Sequence, residues 1–158
     1  MLYFILSAVL VAVDQLVKLW VRGSIPVGGS VDFLPGVMDL TYLKNTGAAF
    51  SILTEHTWIL TLVSLAASVV IVVLIAKKVF TKPLGQLALS LVLAGAVGNL
   101  IDRAFLGFVT DMFRTTFVNF AIFNVADICV VVGGVLVCVY AFVFLDKQPK
   151  KDAPHDPA

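Results

Sequence analysis

The chain has 158 residues, 60% hydrophobic and only 13% charged, with a mean hydropathy of +1.04. Soluble domains run at roughly 45–50% apolar and about 25% charged, so this is a polytopic membrane protein with room for one domain of a few helices. A net charge of +1 gives no concentrated basic face, which excludes a nucleic-acid partner. HExxH, CxxC and GxSxG patterns are missing, which leaves zinc and Ser-His chemistry without candidates; no cofactor and no metal is expected.

Leu2 to Val21 is the first apolar run, interrupted by Asp14 and Lys18 and followed by Arg22. It lacks the basic start, unbroken apolar centre and small-residue cleavage site of a secretory signal and reads as a retained span. Asp14 and Lys18 stand four residues apart on one helix face, where they can neutralise each other as a structural pair.

Gly23 to Glu55 is polar and rich in turns. Gly28-Gly29 and Pro35-Gly36 are turn signals, and Val37 to Leu43 alternates as short strands do. The region, about residues 23–55, predicts a small sheet at the membrane surface. Within it, Asn45-Thr46-Gly47-Ala48-Ala49-Phe50-Ser51 gathers small residues where another backbone can come close.

The second span is Thr57 to Ala76, with Thr61, Ser64 and Ser68 as a polar stripe suited to helix packing. Lys77, Lys78 and Lys82 follow, and Pro83 precedes the third span, Leu84 to Ile101. The end of that span and the residues just past it place Gly95, Asn99, Asp102 and Arg103 on one face. The glycines favour packing there, whereas Asn99 with Asp102 and Arg103 favours a wet cavity.

Ala104 to Asn124 holds six of the twelve phenylalanines and is expected to lie in the membrane interface. Asp111 and Asp127 bracket its second half. On one continuous helix they would be roughly 24 Å apart, so they can share a task only if the chain turns back, for which Arg114, Thr115, Thr116 and Asn119 are suited. Asp127 opens the fourth span, 127–145. An acid at that depth is either functional or an interfacial helix cap. Cys129 and Cys138, about 13 Å apart along that helix, are beyond disulfide reach and are expected to fill core space. Residues 146–158, with three lysines and three prolines, are expected to form a disordered cytoplasmic tail.

Lysine and arginine counts in the short loops orient the spans. Three lysines lie between spans two and three and three in the tail, against only Lys44 and Arg114 in the two opposite loops. Both termini are therefore expected in the cytoplasm. Asp14, Lys18, Asn99, Asp102, Arg103, Asp111 and Asp127 then converge toward the outer face. Two carboxylates without a metal or nucleophile suit acid/base hydrolysis, in which a close pair shares one proton. The rivals are an ion-coupled transporter that relays ions through its acids, although no internal repeat supports it, and an assembly protein with buried ion pairs.

The blocks Asp14-Gln15-Leu16-Val17-Lys18, Asn45 to Ser51, Gly98-Asn99-Leu100-Ile101-Asp102-Arg103, Val109-Thr110-Asp111-Met112-Phe113 and Phe123-Asn124-Val125-Ala126-Asp127 resemble, in order, the motif set of the bacterial lipoprotein signal peptidases (signal peptidase II). The resemblance implies an all-α polytopic fold of four transmembrane helices over residues 1–145, with an extracytoplasmic β-sheet subdomain between spans one and two. It implies an aspartic endopeptidase of the inner membrane, its active site toward the extracytoplasmic face, that cuts diacylglyceryl-modified prolipoproteins just before the lipidated cysteine. By position, Asp111 and Asp127 match the catalytic pair. Asn45, Asn99, Arg103 and Asn124 match residues contacting substrate or the inhibitor globomycin, and Asp14 with Lys18 matches a supporting pair; membrane lipid is the remaining partner implied. Thr110 stands where an aliphatic residue is expected.

Overall fold

The computed structural model describes residues 1–47 and 57–145. Among the described residues, four helices are long and apolar enough to cross a membrane: α1 (Leu2–Ser24), α2 (Thr57–Ala76), α3 (Pro83–Leu106) and α4 (Val125–Tyr140), the last continued by a π-helical turn, Ala141–Leu145. The expected spans are all present. The third, however, continues five residues beyond Ile101 to Leu106, so Asp102 and Arg103 lie within the helix. Pro83 occupies its first turn and Gly107, at φ 77°, ends it in the left-handed conformation, the arrangement in which each of these residues is least strained.

α3 is the central helix. Its most apolar stretch is 56% buried, against 17–22% for the other three, so α1, α2 and α4 turn most of their surface outward, as lipid permits. Ile71 and Ile75 of α2 pack on Leu89 and Leu93 of α3. On the other side α4 comes so close that a Cβ at Gly95 would run into the Ala126 carbonyl and Val130, and one at Gly98 would lie 2.7 Å from Asp14 Oδ2 and 3.1 Å from the Ala126 Cβ. Small residues are what allow helices to pack in lipid. In the α2 stripe, Thr61 and Ser68 hydroxyls donate to carbonyls one turn back, whereas Ser64 faces Arg103.

The sheet has three antiparallel strands in the order β1 (Ser30–Leu34), β2 (Met38–Asn45), β3 (Val109–Thr115). Two belong to the expected region; the third comes from the Phe-rich stretch assigned to the interface, and Arg114 and Thr115, expected in a turn, are its last two residues. Hydrophobic spacing gave no hint because only Val109 to Met112 is buried on both faces, and such a strand does not alternate. β2 and β3 pair with Asn45 opposite Val109 and Leu43 opposite Asp111. Val21 and Ile25, at the end of α1, pack with Leu40, Tyr42 and Met112, which seats the sheet on the bundle. The fold is thus mostly helical, as expected, with a sheet completed from a distant part of the chain. Cys129 is buried, but Cys138 is exposed on α4 and fills no core. Residues 48–56, which include the end of the Asn45 to Ser51 block, and the tail 146–158 lie outside the described residues.

Candidate active site

α4 begins at a reciprocal cap. Asn124 Oδ1 accepts the Asp127 main-chain N–H and Asp127 Oδ2 accepts the Asn124 N–H, each at 3.0 Å, a capping box with Asp in the third position. Asp127 thus takes part in the cap of α4, but from the third helical position; the capping residue itself is Asn124. The cap also aims the rest of Asn124: its Nδ2 donates to Asp111 Oδ1 at 2.7 Å and to Asn99 Oδ1 at 3.2 Å. The two aspartates, far apart on any single helix, thus share one asparagine because β3 and the first turn of α4 meet.

Asn99 of α3 donates Nδ2 to Asp127 Oδ1 at 2.8 Å, and Asn45 at the end of β2 donates Nδ2 to Asp111 Oδ2 at 2.9 Å. Every carboxylate oxygen of the pair accepts an N–H. The polarity of the three amides is set from behind, since the oxygens of Asn99, Asn45 and Asn124 face Lys18 Nζ, the Gly47 N–H and the Asp127 N–H, groups that can only donate. The nitrogens are left facing the acids.

Asp111 is 1% exposed. That burial pushes its carboxyl up to about 6 from an ordinary 3.8, aided by the nearby Asp127 charge and opposed by the hydrogen bonds from Asn45 and Asn124.

Both aspartates line a cavity of about 440 Å³ together with Asn45, Asn99 and Arg103. Its remaining walls are apolar: Val109 of β3, residues 120–123 from the chain before α4, and Ile128 to Val132 without Cys129 from α4 itself. Sequence reading did not single these out, since nothing separates them from ordinary lipid-facing residues. Ile128, Val130 and Val131, which line the cavity, are also exposed on α4. Arg103 donates to Ser64 Oγ at 3.4 Å, while its buried Nε has no hydrogen-bond partner among the described residues; a guanidinium so placed can take a carbonyl or phosphate oxygen from a ligand.

Asp102, expected to favour the cavity, lies behind it with the structural pair Asp14 and Lys18. Lys18 is fully buried, 2.9 Å from Asp14 Oδ2 and 3.4 Å from Asp102 Oδ2, so the expected Asp14–Lys18 pair exists and includes Asp102. Asp102 Oδ2 also accepts the Thr110 N–H at 2.8 Å, and Arg22 lies 3.5 Å from Asp102 Oδ1. Arg22 donates to Thr110 Oγ1 at 3.0 Å, which accounts for a hydroxyl where an aliphatic residue was expected. The signal for this link was in the sequence, as an arginine just past the first span and a threonine out of place, but only the fold joins them.

The family model for signal peptidase (SPase) II matches residues 6–143. Lipoprotein signal peptidases of Enterococcus faecalis and Clostridioides difficile are 43% and 40% identical, over 95% and 94% of this chain and 92% and 99% of theirs. A bacterial membrane enzyme solved by the in meso method at 2.3 Å resolution superposes with a TM-score of 0.86 at 27% identity, covering 96% of this chain and 94% of that one. With four membrane-length helices, a three-stranded sheet and a model match over nearly the whole chain, the protein belongs to the signal peptidase II family.

Proposed function

We propose that this peptidase is an aspartic endopeptidase that removes the signal peptide from diacylglyceryl-modified prolipoproteins, cleaving just before the lipidated cysteine, with Asp111 and Asp127 as the catalytic pair. The observation that carries the reading is the sharing of Asn124 by two carboxylates in a cavity whose other walls are apolar. The apolar walls suit acyl chains and the end of a signal helix, while the polar floor suits a peptide bond. Family membership supports the substrate class.

In this mechanism Asp111, whose proton is held up to about pH 6 by burial, donates a hydrogen bond to the scissile carbonyl. Asp127 takes a proton from a water whose oxygen attacks the carbonyl carbon. As the tetrahedral intermediate collapses, the C–N bond breaks and the proton passes to the leaving amine. Asn45, Asn99 and Asn124 hold the acids, and Arg103 holds a carbonyl or lipid oxygen. The pair titrates as a unit.

Residues 1–145 act as one membrane peptidase domain of the bacterial inner membrane, both termini cytoplasmic and the site toward the outer face. The lysines at 77, 78 and 82 support that orientation. The decisive experiment is incubation of purified protein with a lipidated prolipoprotein, with and without globomycin. Globomycin-sensitive cleavage before the lipidated cysteine is expected. A transporter or assembly protein would cut nothing.

A further inference from the structure

We propose that Asp14, Lys18 and Asp102 form a positioning unit that sets the separation of Asp111 and Asp127. The proposal rests on the peptidase reading above and gives the buried charges a role beyond holding the bundle together. Each of the two buried acids grips the main chain of the residue immediately before one catalytic candidate. Asp102 Oδ2 accepts the Thr110 N–H at 2.8 Å, and Asp14 Oδ1 accepts the Ala126 N–H at 2.9 Å. The Lys18 ammonium lies between them, 2.9 Å from Asp14 and 3.4 Å from Asp102. A strand and a helix that belong to different layers are thus tied to one cation. A third arm runs from Lys18 through Asn99 to Asp127 itself, over 2.9 and 2.8 Å.

Asp14, Lys18 and Asp102 are at most 1% exposed. A buried ion cluster is a weak source of stability, since packed apolar residues of like volume often do as well or better. What apolar residues cannot do is accept two main-chain N–H groups in different elements and fix the distance between them. Gly98 makes room for the unit, because a Cβ there would lie 2.7 Å from Asp14 Oδ2. None of the three residues lines the cavity, so they act through other groups and do not touch substrate. A small error in the spacing of two acids that must act together on one peptide bond costs turnover more than binding.

Two comparisons test this on the purified full chain, with kcat and KM for a lipidated prolipoprotein peptide measured on protein shown folded by its melting transition. In the first, Asp102→Asn keeps an acceptor for the Thr110 N–H and Asp102→Leu does not. The Leu variant is expected to lose about 10- to 100-fold in kcat with KM little changed, and the Asn variant to recover most of it. In the second, Lys18→Met combined with Asp14→Asn removes one charge of each sign and keeps an acceptor for Ala126. It is expected to lower kcat about tenfold or more, again at near-constant KM. Equal kcat for the Asn and Leu variants, or a wild-type kcat in the double variant, would overturn the proposal. If the double variant is not recovered, the Asn and Leu comparison decides by itself. Wild-type protein that cleaves nothing would remove the peptidase reading instead, which keeps the two failures apart.

Discussion

Asn124 and Asp127 cap each other across the first turn of α4, each donating a main-chain N–H to the other's side chain at 3.0 Å, and the amide left over on Asn124 reaches Asp111 at 2.7 Å. A helix start and a carboxylate pair are therefore built from the same asparagine. The two functions separate by substitution. Asn124→Ser keeps a capping oxygen but is too short to reach Asp111, whereas Asn124→Ala loses both. Ala is expected to destabilise by about 1 kcal/mol or more and Ser by less, while both lose most cleavage. Melting temperature and turnover measured side by side check this; a Ser variant with wild-type turnover would show that the Asn124 amide is dispensable to the pair.

Asp111→Asn and Asp127→Asn should each abolish cleavage at normal protein yield. Asn is nearly isosteric but cannot cycle between acid and base. The double variant should be no worse than either single one, because residues acting as one unit are not additive. Substantial turnover by either single variant would end the assignment of the pair.

Burial raises the Asp111 carboxyl from 3.8 to about 6, so the folded protein holds this proton more tightly than the unfolded chain. The stabilising contribution is complete below pH 3.8, declines as pH rises, and is gone above about 6. The wild type should therefore lose melting temperature, relative to Asp111→Asn, on going from about pH 4 to about pH 7. An unchanged difference in melting temperature across that range would mean that the folded Asp111 carboxyl keeps its ordinary value. The pH dependence of kcat should be bell-shaped, with constants belonging to the pair.

Gly95→Ala places a methyl against the Ala126 carbonyl and 3.0 Å from the Val130 nitrogen. Backbone cannot swing away as a flexible side chain does, so α4 must shift outward. Overpacking of this kind costs about 1–3 kcal/mol, and here it also moves Asp127 away from Asn99. Gly134→Ala is the matched control, because a Cβ there meets nothing within 4 Å. Loss of melting temperature and turnover is expected for the first only; equal behaviour of the two would show that α3 and α4 are not in the close contact described.

By itself the sequence determined the spans, because predominantly apolar runs of this length have no other stable solution in lipid than a helix. It also determined which polar residues are costly enough to need a reason, and the ordered blocks carried the family resemblance. Their partners were another matter. Asp102 read as a cavity residue alongside Asn99 and Arg103, yet it turns to Thr110, Lys18 and Arg22. β3 was read as interfacial, since Val109 to Met112 is buried on both faces and so does not alternate, and its partner β2 lies far off in the chain. Tertiary structure alone decided that Asp111 and Asp127 share Asn124. That contact depends on where a strand of the sheet and the cap of α4 come to rest on α3, and such positions follow from side-chain packing and glycine clearances between elements, which spacing along one chain does not encode.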